Sequence, residues 1–327
     1  MKKRNNFIDI AKGIAILMVV ITHYKWSGSQ RIDLLFPYHI SMAVPIFMLV
    51  TGYVSAASFL KNGVTTLKNA YAIKPMAKKL LRYTLPFLYM YITQNIIALA
   101  MGEGISPLEV LMYFFGGGRG EYGTYYYPVL IQIVLIFPIV FIAVSRFKYG
   151  ILGCFLANLA YELLKNAVDM SGGAYRLIGL RYIFAVAMGC YIYLHRADLK
   201  GKKSVILCAL GALYIWLVNY TSYEPRIFTF WTATSMLAVL FIAPIFAAGL
   251  EWGKDWHFPP IELLGKASYH IFLAQIIYYN YIAPLIYDAV KNKLLQLLIS
   301  VTISLSLGIA YYFSYNKIKS MCNKSTC

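Results

Sequence analysis

The sequence predicts an all-α integral membrane protein of about ten transmembrane helices with both termini in the cytosol, and three observations carry that expectation. Of 327 residues, 60% are hydrophobic and 13% are charged, whereas an ordinary soluble domain has about 25% charged. The apolar residues collect in long runs, most near the roughly twenty residues that cross a hydrocarbon core at about 1.5 Å per residue. The 30 lysines and arginines cluster in alternate connecting segments.

With the N-terminus in the cytosol, the inside segments hold twenty of those cations, including Lys2, Lys3 and Arg4, the run through residues 61–82 and the group in 196–203. The outside segments hold eight: Arg31, Arg119, Lys165, Arg176, Arg181, Arg226, Lys291 and Lys293. The positive-inside rule therefore puts both ends in the cytosol. A net charge of +17 scattered between apolar runs is membrane topology, and no nucleic-acid partner is expected. Cys154, Cys190, Cys208, Cys322 and Cys327 are dispersed, with neither disulfide-framework nor metal-ligand spacing. The first apolar run exceeds the 7–15 residues typical of a signal peptide's core and is expected to be retained. No loop is long enough for a folded soluble domain, so residues 1–327 are expected to form one transmembrane domain with no appended module.

The first span, residues 7–26, reads FIDIAKGIAILMVVITHYKW and contains Asp9, Lys12, Thr22 and His23. Lys12 and His23 differ by about 20° in direction and about 16 Å in height, so one helix face carries both. Ionisable groups at mid-membrane cost about 2.5–3.5 kcal/mol on insertion scales and usually face a protein interior or wet cavity. Each also has a plain reading: Lys12 snorkels or pairs with Asp9, and His23 sits at the interface.

The remaining spans follow in order. Residues 37–60 contain VPIFMLVTGY, where Thr51 and Gly52 allow close helix packing, and open at His39, level with His23. The basic stretch 61–82 leads into a third span ending near residue 101. Residues 102–124, with GGGRGEYG, read as a mobile external loop; they lack the Lys-Ser/Thr and preceding strand of a P-loop. The fourth span begins GTYYYPVLIQ, where Tyr125, Tyr126 and Tyr127 form either an interfacial belt or a platform for a sugar ring. Further runs cover 149–164, 177–194, 205–220, 229–250, 261–284 and 294–313. Arg176 and Arg181 fall on the side of His23, as interface anchors or ligands for an anionic acceptor or lipid phosphate. His270 reads as a buried, hydrogen-bonded histidine.

A basic residue, ten residues, then histidine resembles the first helix of the acyltransferase 3 family, here Lys12 and His23, with lysine where arginine is commoner. VPIFMLVTGY, KKLLRYTLPF, the aromatic-Pro-x-Leu start of the fourth span, RYIFAVAMGCYIY and LGKASYHIFLAQ resemble further family helices. Many relatives have histidine where this chain has Gln275.

The resemblance implies a multi-pass enzyme of the bacterial cytoplasmic membrane. It would move an acyl group, most often acetyl, from cytosolic acyl-CoA to a hydroxyl of an envelope glycan or lipid-linked sugar. On that reading His23 is the general base, with a covalent acyl-histidine as the variant. Lys12 holds donor phosphate or thioester, and Asp9 orients Lys12. Lys78, Lys79 and Arg82 are candidates for the CoA phosphates, with positive-inside topology as their plain reading. His39, Tyr126 and Arg181 are candidates for the acceptor side. Two other classes stay open: a flippase or exporter of lipid-linked saccharide whose passage these residues line, and a membrane sensor without turnover.

Overall fold

The computed structural model describes residues 5–104, 106–195, 199, 201–224, 227 and 235–325, with side chains to 321. Lys2, Lys3, Arg4, Arg196, Lys200, Arg226 and Cys327, the side chains of Cys322 and Lys324, and the start of the 229–250 run lie outside this set. The described residues are predominantly helical, with no strand among them.

In chain order the helices are α1 (Phe7–Thr22), α2 (Gly28–Asp33), α3 (Ala43–Lys61), α4 (Leu67–Ala70), α5 (Ile73–Ala100), α6 (Pro107–Gly116), α7 (Tyr126–Arg146) and α8 (Gly150–Ala167). They continue with α9 (Gly172–Leu177), α10 (Ile183–His195), α11 (Lys202–Tyr220), α12 (Val239–Trp252), α13 (Pro259–Ile277), α14 (Ala283–Ala289) and α15 (Lys293–Ser325). Among the described residues four stretches are helical, long and apolar enough to cross a bilayer: Phe36–Lys61, Tyr126–Arg146, Lys202–Tyr220 and Lys293–Met321.

Helices surrounded by lipid gain little from the hydrophobic effect, so their association depends on close packing and small residues. The core shows this directly. α1 lies against α13 and α3, α3 against α10, and α13 against α15. A Cβ on Gly265 would come within 1.8 Å of the Asp9 carbonyl oxygen, and one on Gly52 within 1.9 Å of that of Val186. Alanine at either position would force two backbones apart.

Two irregularities shape the centre. After α2, Leu35 adopts a left-handed φ of 55°, and two 3₁₀ turns, Phe36–Tyr38 and Ile40–Met42, bring the chain back into the bundle before α3. After α13 comes a π-helical turn at Tyr278–Ile282, in which Tyr278 and Tyr279 are buried and Tyr281 is partly exposed. Such turns recur at functional sites.

The 102–124 segment differs from the mobile loop its composition suggests. Ser106 and Glu109 form a capping box that starts α6. The glycine-rich part is then fastened from two sides. Fully buried Gln94 accepts the Arg119 backbone N–H and donates to the Arg119 carbonyl, both at 3.1 Å, and Asn280 donates to that carbonyl at 3.2 Å. The Arg119 side chain pairs with Glu103 at 3.3 Å and lies 4.7 Å over Tyr113. Partners from α5 and the turn after α13 hold this loop, and local composition does not reveal them.

Candidate functional site

A cavity of about 920 Å³ runs beside α1 and is walled by α1, α3, α5, α7 and α13. Lys12 and His23 both line it, eleven residues and about 16 Å apart along the helix. The Lys12 end is built where α13 touches α1. Gly265 meets the backbone of Asp9 there, and the next residue, Lys266, faces the cavity. Arg82 joins them from α5, which is tied to α13 by the Tyr269 hydroxyl donating to the Tyr83 carbonyl at 2.9 Å.

Asp9 is buried, and its carboxylate is 2.7 Å from the Lys12 ammonium, one turn apart on α1. This pairing fits the orienting role the sequence suggests and compensates a charge that would otherwise be costly to bury. Glu262 faces Lys266 at 3.9 Å and also accepts from His257 at 2.9 Å and from the Phe258 N–H at 3.0 Å. A carboxylate at a helix N-terminus is favourably placed.

His23 follows the last residue of α1 at the opposite end. Its ring stands edge-on to Tyr122 at 5.8 Å and tilted to Tyr279 at 5.9 Å. Tyr279 is 1% exposed and donates its hydroxyl to the Val20 carbonyl at 2.7 Å, bracing the ring against α1. Tyr122 stacks on Tyr279 at 5.3 Å, so the fastened glycine loop forms one wall of the histidine site. Among the described residues no hydrogen bond occupies either ring nitrogen of His23, and the residue lines the cavity.

Of the other sequence candidates, Tyr126 lines the cavity and packs 4.8 Å from Phe272. Its neighbours divide: Tyr125 faces the cavity, whereas Tyr127 is a core residue stacked 3.7 Å from Phe87. His39 does not line the cavity. It is exposed and donates to the Leu34 carbonyl at 2.8 Å, because the 3₁₀ turns direct Phe36, Pro37 and Ile40 inward and His39 outward.

Arg181 also lies off the cavity. It is 5% exposed, donates to the Tyr182 hydroxyl at 2.6 Å and sits 5.4 Å over Tyr125, behind the wall that Tyr125 forms. Lys78 is exposed and away from the lining. Lys79, on the part of α5 preceding its apolar run, places its ammonium 4.1 Å over the Phe59 ring. Burial, reinforced by the Arg82 charge, pushes it down to about 8.

Gln275 is fully buried in α13 and absent from the lining, so the position where many relatives have histidine does not reach the cavity here. His270 is buried among Tyr311, Tyr312 and Tyr315, and neither ring nitrogen finds a hydrogen-bond partner among the described residues, unlike the bonded histidine expected.

Sequence reasoning missed Arg31, Lys266, Tyr122 and Gly123, which reach the site from elements far apart in the chain. Lys266 lies in the LGKASYH motif, which was a usable signal. Arg31 carried none beyond its charge.

The described residues thus form a helical membrane protein with a cation-lined cavity that reaches His23. The family model described as an acyltransferase domain, acyltransferase 3, matches residues 5–315. The chain belongs to that family and is an acyltransferase by membership. No curated protein and no solved structure matches it.

Proposed function

We propose that this protein transfers an acyl group, acetyl in the first instance, from cytosolic acyl-CoA to a hydroxyl of an envelope glycan or lipid-linked sugar. The chain would form a single domain crossing the bacterial cytoplasmic membrane about ten times, with both termini in the cytosol. The observation that carries the reading is that Lys12 and His23 line one cavity whose charged lining residues, among those described, are all cations: Lys12, Arg31, Arg82 and Lys266.

Lys12, Arg82 and Lys266 suit the phosphates of the donor, with Lys78 and Lys79 adding positive potential at the approach. Asp9 holds the Lys12 ammonium in place. A bound acyl-CoA supplies an activated thioester carbonyl. At the far end, His23 removes the proton of the acceptor hydroxyl as the oxygen attacks that carbonyl. The new C–O bond replaces the C–S bond, and the imidazolium returns the proton to the departing thiolate. Neutral imidazole performs this near pH 7. Tyr125 and Tyr126 offer aromatic faces to a sugar ring.

The test is acetyl-CoA titration by calorimetry on protein in nanodiscs, together with CoA release with and without an envelope glycan extract. Binding with glycan-dependent release is expected. If acetyl-CoA neither binds nor turns over while glycan crosses the bilayer of proteoliposomes, the protein is a carrier.

A further inference from the structure

The cavity's charge distribution bears on the acceptor. No aspartate or glutamate is among the described lining residues, and the four cations occupy both ends. Lys12 and Lys266 have carboxylate partners in Asp9 and Glu262. The two arginines, Arg82 at one end and Arg31 at the other, make no ion pair among the described residues. Arg82 belongs with the donor phosphates. Arg31 stands at the histidine end, about 16 Å away along α1, so a donor anion seated near Lys12 does not account for it.

The backbone that carries Arg31 is held in place, while the side chain itself is exposed. A Ser27/Gln30 capping box starts its helix, α2, and the Tyr220 hydroxyl donates to the Ile32 carbonyl at 3.3 Å. The guanidinium spends one N–H on the Thr22 carbonyl, at a long 3.4 Å. That carbonyl belongs to the residue preceding His23. Of its five N–H donors, the others point to no protein acceptor among the described residues. An exposed guanidinium with no carboxylate partner among the described residues, set beside the residue that precedes an unbonded imidazole, is an arrangement suited to binding an oxyanion, often in bidentate fashion.

We propose that the acceptor is anionic, and that Arg31 binds its carboxylate or phosphate so that a nearby hydroxyl is presented to His23. This rests on the acyl-transfer reading above and adds the substrate class. The charge has two possible sources, a sugar acid or the phosphate of a lipid carrier, and the chemistry of recognition is common to both. Interface anchoring of Arg31 makes no such demand on the substrate.

The experiment supplies [acetyl-¹⁴C]acetyl-CoA to nanodisc-embedded protein with an envelope glycan extract separated by anion exchange into neutral and acidic fractions. Wild type, Arg31→Gln and Arg31→Lys are compared, and acetyl-CoA affinity is measured on each as a control for folding and for the donor end. The expected result is label in the acidic fraction, with Arg31→Gln raising the acceptor KM about tenfold or more while kcat and donor affinity hold, and with partial recovery in Arg31→Lys. Label that partitions into organic solvent until mild acid hydrolysis assigns the charge to a lipid phosphate; label remaining on a charged water-soluble sugar assigns it to a carboxylate. Label in the neutral fraction, or acidic-fraction kinetics indifferent to Arg31→Gln, overturns the proposal while leaving acyl transfer intact. Acetyl-CoA binding with no label in any fraction overturns acyl transfer itself, and this proposal with it.

Discussion

Gly123 approaches His23 so closely that a Cβ at position 123 would lie 3.2 Å from the imidazole Nε2. The same Cβ would meet the Phe272 ring at 3.2 Å, and the backbone there has a φ of +83°. Left-handed backbone costs a non-glycine residue about 1–2 kcal/mol. Gly123→Ala is therefore expected to crowd the imidazole and lower glycan-dependent CoA release about 10- to 100-fold, as small misplacements of a reacting group do. On the proposed reading acetyl-CoA is held at the other end, so its affinity should hold. Unchanged turnover in Gly123→Ala would show that the loop does not set the position of His23.

The Asp9–Lys12 pair makes an asymmetric prediction. Removing one member of a buried ion pair strands the other and costs about 3–5 kcal/mol, whereas removing both is much less damaging. Asp9 is 3% exposed. Lys12→Met should therefore melt at a lower temperature in nanodiscs than the double variant Lys12→Met/Asp9→Asn. Additive losses would mean that the two charges are not coupled.

Lys79 titrates near the working range. Its ammonium is pushed from the ordinary 10.5 down to about 8, first by burial and then by Arg82. Between those two values the unfolded chain binds the extra proton and the folded chain does not, so the contribution of Lys79 to stability rises with pH across that window. Its attraction for a donor phosphate runs the other way, falling as pH passes through 8. Acetyl-CoA affinity of the wild type should decline several-fold from pH 7 to 9, and Lys79→Arg should flatten part of that decline. An identical profile in Lys79→Arg removes Lys79 from the donor approach.

The loop anchor can be cut at one residue. Gln94→Leu deletes both hydrogen bonds to the Arg119 backbone; the carbonyl keeps Asn280, and the N–H left unpaired costs about 1–3 kcal/mol. Limited proteolysis should then cut within residues 116–124 where the wild type resists, with turnover falling in parallel because Tyr122 no longer braces His23. Equal protease resistance would show that Asn280 alone holds the loop.

What could be read in the sequence was whatever one helix decides for itself. The shared face of Lys12 and His23 follows from their spacing, and the Asp9–Lys12 contact from an i, i+3 interval. The other cavity residues depend on which helices meet. Arg31 reaches the Thr22 carbonyl, next to His23, from a six-residue helix after the span, and Lys266 joins Lys12 in the cavity lining where Gly265 lets α13 touch α1. His39 is instructive in the opposite sense. It is level with His23 along the chain, but a left-handed Leu35 and two 3₁₀ turns point it outward. Tyr125, Tyr126 and Tyr127 look alike in sequence, yet helical phase sends two to the cavity and one into the core.

His23 carries the proposed proton transfer. The direct measurement compares glycan-dependent CoA release by wild type, His23→Ala and His23→Gln in nanodiscs, with acetyl-CoA affinity followed by calorimetry on the same preparations. A general base contributes about 10²–10⁴-fold, so kcat should fall by at least 100-fold in both variants while donor affinity holds. Glycan-dependent release that persists in His23→Ala at near the wild-type rate would contradict the assignment and move the chemistry away from this end of the cavity.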